Sequence, residues 1–268
     1  MKNIDITVII TVWKRPYLDR QLRSLTKQSM PPKYIWIIHN ENHIDIKATI
    51  DKYSDYFPNI KVIDSDLNLK YFGRFSLCYH VKTTYTLIID DDVIPSLKWL
   101  QICIETCNKY NAVISCTGRI LRPNNYRPEE LQPGDILEEV GKKYFIGDCY
   151  NDLSYNFSPN DTQVDYGCNS YFLKTKWIKY FWSFWPATFD SGEDIHLSAA
   201  LMIAKSIPTY VPQQLSLETT GNLKKDYSAD QYSSWLKRDF IDIRQSVFQY
   251  FIKEKKWCPM LWKKVVLT

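Results

Sequence analysis

Three consecutive aspartates, Asp90, Asp91 and Asp92, close a stretch that reads Y-T-L-I-I-D-D-D-V-I-P over residues 85–95. Side by side their charges repel. At the end of a buried strand they are costly, unless a cation sits among them or all three face water. A hard divalent ion with oxygen ligands, Mg2+ or Mn2+, suits such a group. The plain alternative is a solvated acidic turn. The position favours chemistry, because open α/β sheets bind ligands beyond the carboxyl ends of their strands.

A second acidic group, D-S-G-E-D-I-H over residues 190–196, opens an apolar helical stretch. Glu193 and Asp194 can cap that helix and complement its dipole. They can equally project into a pocket, Asp194 or Glu193 serving as catalytic base or transition-state stabiliser. His196 stands alone, and a lone histidine is more often structural than a ligand. Arg15 follows the first strand, and Lys70 and Arg74 precede the fourth. All three fall where the strand ends converge. Cations beside a metal are odd in isolation, but with a diphosphate between them they make sense. A doubly charged leaving group needs both.

Alternation and helical spacing supply the elements that would position these residues. Ile4, Ile6, Val8, Ile10 and Val12 mark a first strand, and Leu18, Leu22 and Leu25 a helix that ends near Met30. Strands follow at residues 33–39 and 59–64, a short helix at 44–53 and another at 74–81. Leu87–Ile89 is the fourth strand. Leu97, Leu100, Ile104 and Cys107 make the next helical face, and 112–116 a fifth strand. Strands alternating with helices imply a mostly parallel, Rossmann-like α/β sheet with right-handed crossovers. No G-x-G-x-x-G follows the first strand, which excludes a dinucleotide-binding oxidoreductase half. Residues 118–164 read as an irregular connection with short strands near 136–140 and 144–147. A strand is expected at 166–173, an aromatic run at Trp177–Trp185, a helix after Asp194, and a short strand at 207–211. Residues 217–229 read as polar and mobile, and 230–255 as one long amphipathic helix. The whole chain is expected to be a single domain, with a nucleotide-binding half at 1–117 and an acceptor-side half at 118–268.

The totals narrow the function class. Lys and Arg are spread along the 268 residues and the net charge is only +4, so nucleic acid is not the expected partner. Aromatics make up 15% of the chain, and flat rings with polar tips suit sugars or nucleobases as well as cores. Seven cysteines without a C-x-x-C pair argue against a zinc ribbon and for free thiols in a reducing cytosol. The N-terminal stretch reads as a strand, not a signal peptide, and there is no transmembrane segment, so the expected location is cytoplasmic. The aromatic and lysine-rich C-terminus reads as a docked tail that can also touch a membrane surface.

Taken together these motifs resemble a GT-A fold glycosyltransferase. The likeness is nearest to the exostosin-type domain, the C-terminal domain of heparan-sulfate polymerases, with the inverting family 2 transferases as the near alternative. T-V-I-I-T-V-W-K-R-P resembles the first strand and its arginine, and W-I-I-H-N the second strand with its polar end. N-L-K-Y-F-G-R at 68–74 resembles the segment ahead of the acidic motif. L-I-I-D-D-D matches D-x-D, G-E-D-I the later acidic helix start, and W-L-K-R at 235–238 a late tryptophan–arginine segment.

The resemblance implies a central sheet flanked by helices, a small additional sheet and a C-terminal helix. It implies that Thr11, Trp13, Arg15 and Asn40 line the nucleoside and that Asn68, Lys70 and Arg74 contact the nucleotide. Asp90 and Asp91 would meet sugar hydroxyls, and Asp92 would hold Mn2+ or Mg2+. Asp194 and Glu193 would sit at the reacting sugar, and Arg238, with Arg244 as its rival, at the leaving group. The implied reaction moves a sugar from a nucleotide-sugar, a UDP-sugar, to a hydroxyl of a glycan or glycoconjugate. Tyr166 and the Trp177–Trp185 run would form part of the acceptor wall, unless they pack as plain core. Two other classes stay open: a nucleotidyltransferase that makes a nucleotide-sugar, and a non-catalytic sugar-binding protein on the same fold.

Overall fold

β-Branched residues carry the first strand, β1 (Ile6–Val12), into the centre of a sheet, where all of its residues but Thr11 are buried. In the computed structural model, which describes residues 5–123, 127, 132–148, 155–223 and 230–262, the chain then alternates as the spacing predicts. Helix α1 (Leu18–Thr26) leads to β2 (Tyr34–Asn40), α2 (Lys47–Tyr53) to β3 (Ile60–Ser65), and α3 (Lys70–Leu77) to β4 (Tyr85–Ile89). Helix α4 (Trp99–Tyr110) leads to the short β5 (Val113–Ile114) and then β6 (Thr117–Arg119). Next come α5 (Leu137–Tyr144), β7 (Phe145–Ile146), β8 (Thr162–Val164), β9 (Tyr166–Cys168) and β10 (Ser170–Lys174). The described chain ends through α6 (Ile178–Phe181), α7 (Glu193–Lys205), β11 (Thr209–Val211) and α8 (Phe240–Gln249).

The main sheet has the order β3-β2-β1-β4-β10-β5-β11-β8, and β7-β6-β9 form a second, small sheet. β1 pairs in parallel with both β2 and β4, so the order reverses between β1 and β4. A crevice at such a reversal, outside the carboxyl ends of the strands, is where open sheets place ligands. Asp90–Asp92 leave β4 at that point. β10 runs antiparallel between β4 and β5, so the fifth strand does not join the fourth as the simple alternation suggests. Sequence spacing carries no information about an insertion that arrives from residue 170.

One core cluster surrounds the sheet, with Trp99, Phe75 and Phe172 fully buried, and a second packs α7 and α8 against β9 around Tyr166 and Phe248. Removing each such side chain from water contributes about 1.5–3 kcal/mol.

Three expected elements differ. The strand expected at 136–140 is the start of α5, whose last turn carries Lys142 and Lys143, a favourable charge at a helix C-terminus. The long helix expected from Asp230 begins only at Phe240 and ends in a π-helical turn, Tyr250–Glu254. Asp230 Oδ1 instead accepts from the Tyr232 N–H at 2.9 Å, and the Ser233 N–H reaches the Asp230 carbonyl at 3.0 Å, which commits this stretch to turns. The expected strand at 166–173 is split at Asn169, which adopts a left-handed φ of 68°. Ile4, Cys149, residues 263–268 of the tail and residues 224–229 of the expected mobile stretch lie outside the described residues. No helix of the described residues is long and apolar enough to cross a membrane.

Candidate active site

The turn at Asp90–Asp92 is held from three sides. Gln21, on the otherwise apolar face of α1, donates to the carbonyls of Asp90 and Val93, each at 2.9 Å. The Asp90 N–H reaches the Asn169 carbonyl at 3.1 Å, and Asn222 accepts from the Ile94 N–H at 2.9 Å. The three carboxylates therefore leave a fixed frame at the end of β4.

Each of the first two carboxylates has an arginine. Arg15, just past β1, donates to Asp91 at 2.5 Å and lies 3.7 Å from Asp92. Its other nitrogens reach Asp230 at 2.6 and 2.8 Å, across 215 positions of sequence. Arg74, on α3, bridges Asp90 and Glu193, the latter at 2.7 Å. Its guanidinium lies over the rings of Phe75 and Tyr171 and only 6% of its side chain is exposed.

Burial pushes the Asp90 carboxyl up to about 6, against the pull of Arg74, and the Asp91 carboxyl up to about 7, against that of Arg15. Burial works against the charge of both arginines, yet their acidic partners hold each guanidinium above its ordinary range.

Glu193 and Asp194 open α7 behind Gly192, whose φ of 84° is a left-handed conformation that glycine adopts without strain. A Cβ there would also meet Val247 of α8 at 2.9 Å. This close approach brings α8 against α7. Arg244 of α8 then forks onto Asp194, Nη1 to Oδ1 and Nη2 to Oδ2 at 3.0 Å each. Burial, reinforced by the neighbouring charge of Asp194, raises the Glu193 carboxyl to about 7 despite Arg74.

These groups share one cavity of about 930 Å³. Thr11, Trp13, Arg15, Asn40, Asn68, Lys70, Arg74, Asp90, Asp91, Asp92, Glu193 and Asp194, twelve of the thirteen expected site residues, line it. Several are committed to one another. The Asn40 side chain accepts from the Leu69 N–H at 3.1 Å, and that of Asn68 from the Lys70 N–H at 2.8 Å, so both shape the loop that starts α3. Lys70 pairs with Asp190 at 3.1 Å, and the Trp13 indole donates to Glu41 at 2.6 Å.

Arg238 is the exception: it is exposed and is not part of the cavity wall. It precedes α8 rather than lying within a long helix, and its rival Arg244 is the arginine that meets the acidic pair. His196 is buried, bonds the Phe181 carbonyl at 2.8 Å through Nε2, and is held near 4 by burial, so it is a neutral structural residue. Tyr166, Trp177 and Phe181 are core, not cavity wall.

Sequence reasoning missed Arg119, which pairs with Asp148 at 2.9 Å over the Phe145 ring, and the part of the wall from Gln231 to Ser234; of the W-L-K-R segment it singled out Arg238, whereas Trp235, Leu236 and Lys237 are the residues that line the cavity. It also missed Gln21 and Asn222. A buried polar residue on the Leu18–Leu22–Leu25 face is the signal that could have found Gln21.

Residues 7–181, more than half of the chain, match the family described as Glycosyl transferase family 2. The chain belongs to glycosyl transferase family 2. With that membership the reversed parallel sheet, the flanking helices and the small second sheet are the GT-A fold. The match falls on the second of the two families that the motifs resemble and does not bear on the exostosin-type likeness.

No curated protein matches this family 2 chain. Among solved structures it is similar to S. aureus TarS, with 16% identity over 78% of this chain and 37% of that one and a TM-score of 0.47. The TarS 1–349 complex with UDP-GlcNAc shows 16% identity over 89% of this chain and 64% of that one, TM-score 0.49. Its complex with UDP shows 15% identity over 77% and 60%, TM-score 0.46. The family 2 chain thus spans well under the full length of these neighbours.

Proposed function

We propose that this family 2 transferase moves a sugar from a nucleotide-sugar, a UDP-sugar, to a hydroxyl of a glycan or glycoconjugate. The observation that carries the reading is the meeting of Asp90–Asp92 with Glu193–Asp194 in one cavity at the β1–β4 reversal. Trp13, Thr11 and Asn40 at the ends of β1 and β2 take the nucleoside. Arg15 faces the diphosphate. Asp194 removes the proton of the acceptor hydroxyl, and Arg244 orients it for that step. Two bonds from Arg244 and one from the Ile195 N–H to Oδ1 at 2.7 Å leave a lone pair on Oδ2 for the acceptor. Arg74, enclosed by Asp90, Glu193 and two rings, positions carboxylates rather than touching the nucleotide.

The charge count of the cavity supports a divalent ion. Asp90, Asp91, Asp92, Asp148, Glu193 and Asp194 line it, against Arg15, Lys70, Arg74, Arg119, Lys237 and Arg244. A diphosphate entering this balanced set brings uncompensated negative charge. Among the described residues no three acidic, histidine or cysteine side chains gather as a cation cluster. Mg2+ and Mn2+ need no such cluster, since they bind through one or two carboxylates, donor phosphates and water. Asp92, buried and at the strand end, fits as that carboxylate. The ion would supply charge neutralisation of the departing diphosphate.

A panel of UDP-, GDP- and TDP-sugars with Mn2+, scored for binding and for release of the nucleoside diphosphate, tests the reading. Turnover of a UDP-sugar is expected. Formation of a nucleoside triphosphate and a sugar 1-phosphate when pyrophosphate is added would instead indicate a nucleotidyltransferase, and binding without turnover a sugar-binding protein.

A further inference from the structure

The aromatic run at residues 177–185 divides in two. Trp177 and Phe181 are buried, and Phe181 stacks on Phe75 with centroids 4.6 Å apart. Trp185, at the end of the run, is 76% exposed, and Phe189 is 45% exposed. Their rings meet edge to face at 5.7 Å, and Phe189 rests on Phe72 at 5.2 Å. The backbone beneath is fixed, because the Tyr250 hydroxyl donates to the Trp185 carbonyl at 2.8 Å.

From Phe189 a chain of contacts reaches the cavity mouth. Asp190 pairs with Lys70 at 3.1 Å. The neighbouring Tyr71 hydroxyl accepts from Lys237 at 3.1 Å. Lys237 closes the stretch that carries Trp235, 55% exposed. Lys70, Tyr71, Trp235 and Lys237 all line the cavity. The segment that presents Trp185 and Phe189 continues directly into Gly192, Glu193 and Asp194.

We propose that this rim is the acceptor platform, and that its ligand is an extended glycan whose pyranose rings stack on Trp185 and Trp235. The inference rests on the transferase reading and names its acceptor class. Flat apolar faces with polar edges match the C–H faces of sugar rings. Asp190, Lys70 and Lys237, in the contacts that link Phe189 to the Trp235 stretch, offer donors and acceptors to ring hydroxyls. An ion pair beside the aromatics is poorly suited to a lipid surface, where each charge would have to leave water.

The test uses the full chain without donor. Cellohexaose, chitohexaose and maltohexaose are titrated by calorimetry into wild type, Trp185→Ala and Phe189→Ala. At least one hexasaccharide is expected to bind wild type, and Trp185→Ala to weaken it roughly five- to tenfold. Because Trp185 is exposed, the variant is expected to keep the wild-type melting temperature, and Phe189→Ala provides a second reading of the same rim. The platform is overturned if no hexasaccharide binds wild type, or if both variants bind as wild type does. Binding to phosphatidylglycerol vesicles that Trp185→Ala abolishes, with no hexasaccharide bound, also overturns it in favour of a membrane surface. Binding of UDP-sugar to wild type, measured separately, reports on the transferase reading alone.

Discussion

Arg244 grips both carboxylate oxygens of Asp194, each at 3.0 Å. A planar fork on a planar carboxylate fixes the direction of the remaining lone pairs as well as the charge. Asp194→Asn is therefore expected to lower kcat by roughly 10²–10⁴ while donor KM changes little. Arg244→Lys keeps a cation but loses the fork, and its kcat loss should be smaller. Steady-state kinetics with a turned-over UDP-sugar would read both. Full transfer by Asp194→Asn would remove the base assignment.

Buried Arg74 is shared between the buried carboxylate of Glu193 and the partly exposed one of Asp90. Removing it strands both. Breaking a buried pair from one side destabilises by about 3–5 kcal/mol, so Arg74→Ala should show a large drop in urea midpoint. A drop under about 1 kcal/mol would instead put the pair in the class of weak, solvent-screened contacts.

Asp92 is assigned to the cation. Asp92→Asn should raise the Mn2+ concentration needed for half-maximal turnover and lower turnover at saturation. Arg238→Ala, outside the cavity, should leave both within about twofold, as expected of a surface change. Unchanged Mn2+ dependence in Asp92→Asn would end the metal assignment.

His196 gives stability a pH dependence. Its folded value of about 4 lies below its ordinary 6.5, chiefly through burial. Between those values the unfolded chain takes up a proton that the folded chain refuses, so the contribution of His196 to stability is fully present above 6.5 and is lost as pH drops towards 4, while the raised carboxyls of Asp90, Asp91 and Glu193 act in the opposite direction. The imidazole faces the Phe181 carbonyl and the rings of Phe72, Phe181 and Phe251, none of which welcomes the cation's second N–H. The contribution is on the order of 3 kcal/mol. Chemical denaturation at pH 7.5, 6 and 5 of wild type and His196→Gln would show it, the wild type losing stability relative to the variant as pH falls. Equal slopes in both proteins would assign the acid sensitivity to other groups.

The first half of the molecule was legible because its information is local. Alternation placed β1 to β4, and three adjacent aspartates after a buried strand marked the cavity. The two acidic motifs, remote in sequence, do meet. Arg238 was taken from the likeness of W-L-K-R at 235–238 to a late tryptophan–arginine segment, and helical periodicity was separately extended back to Asp230, where side-chain hydrogen bonds make turns instead. The placing of Arg15 against Asp230, and of Gln21 beneath Asp90, depends on distant segments returning to one strand end. No spacing rule reports such a return. Arg74 lines the cavity as expected, and only the fold shows how completely its charge is enclosed by Asp90, Glu193 and two rings.

The antiparallel strand β10 has a bearing on how this protein can be divided. Ser170–Lys174 pairs along the whole of Tyr85–Ile89, the strand that carries the aspartates. A fragment ending at residue 117 would expose that edge as a bare row of backbone donors and acceptors, a template for aggregation. The Asp90 N–H would also lose the Asn169 carbonyl. Residues 1–117 are thus not an autonomous unit to which residues 118–268 were added. The later residues complete the strand that the earlier ones began, and attempts to express either half alone should yield insoluble chains.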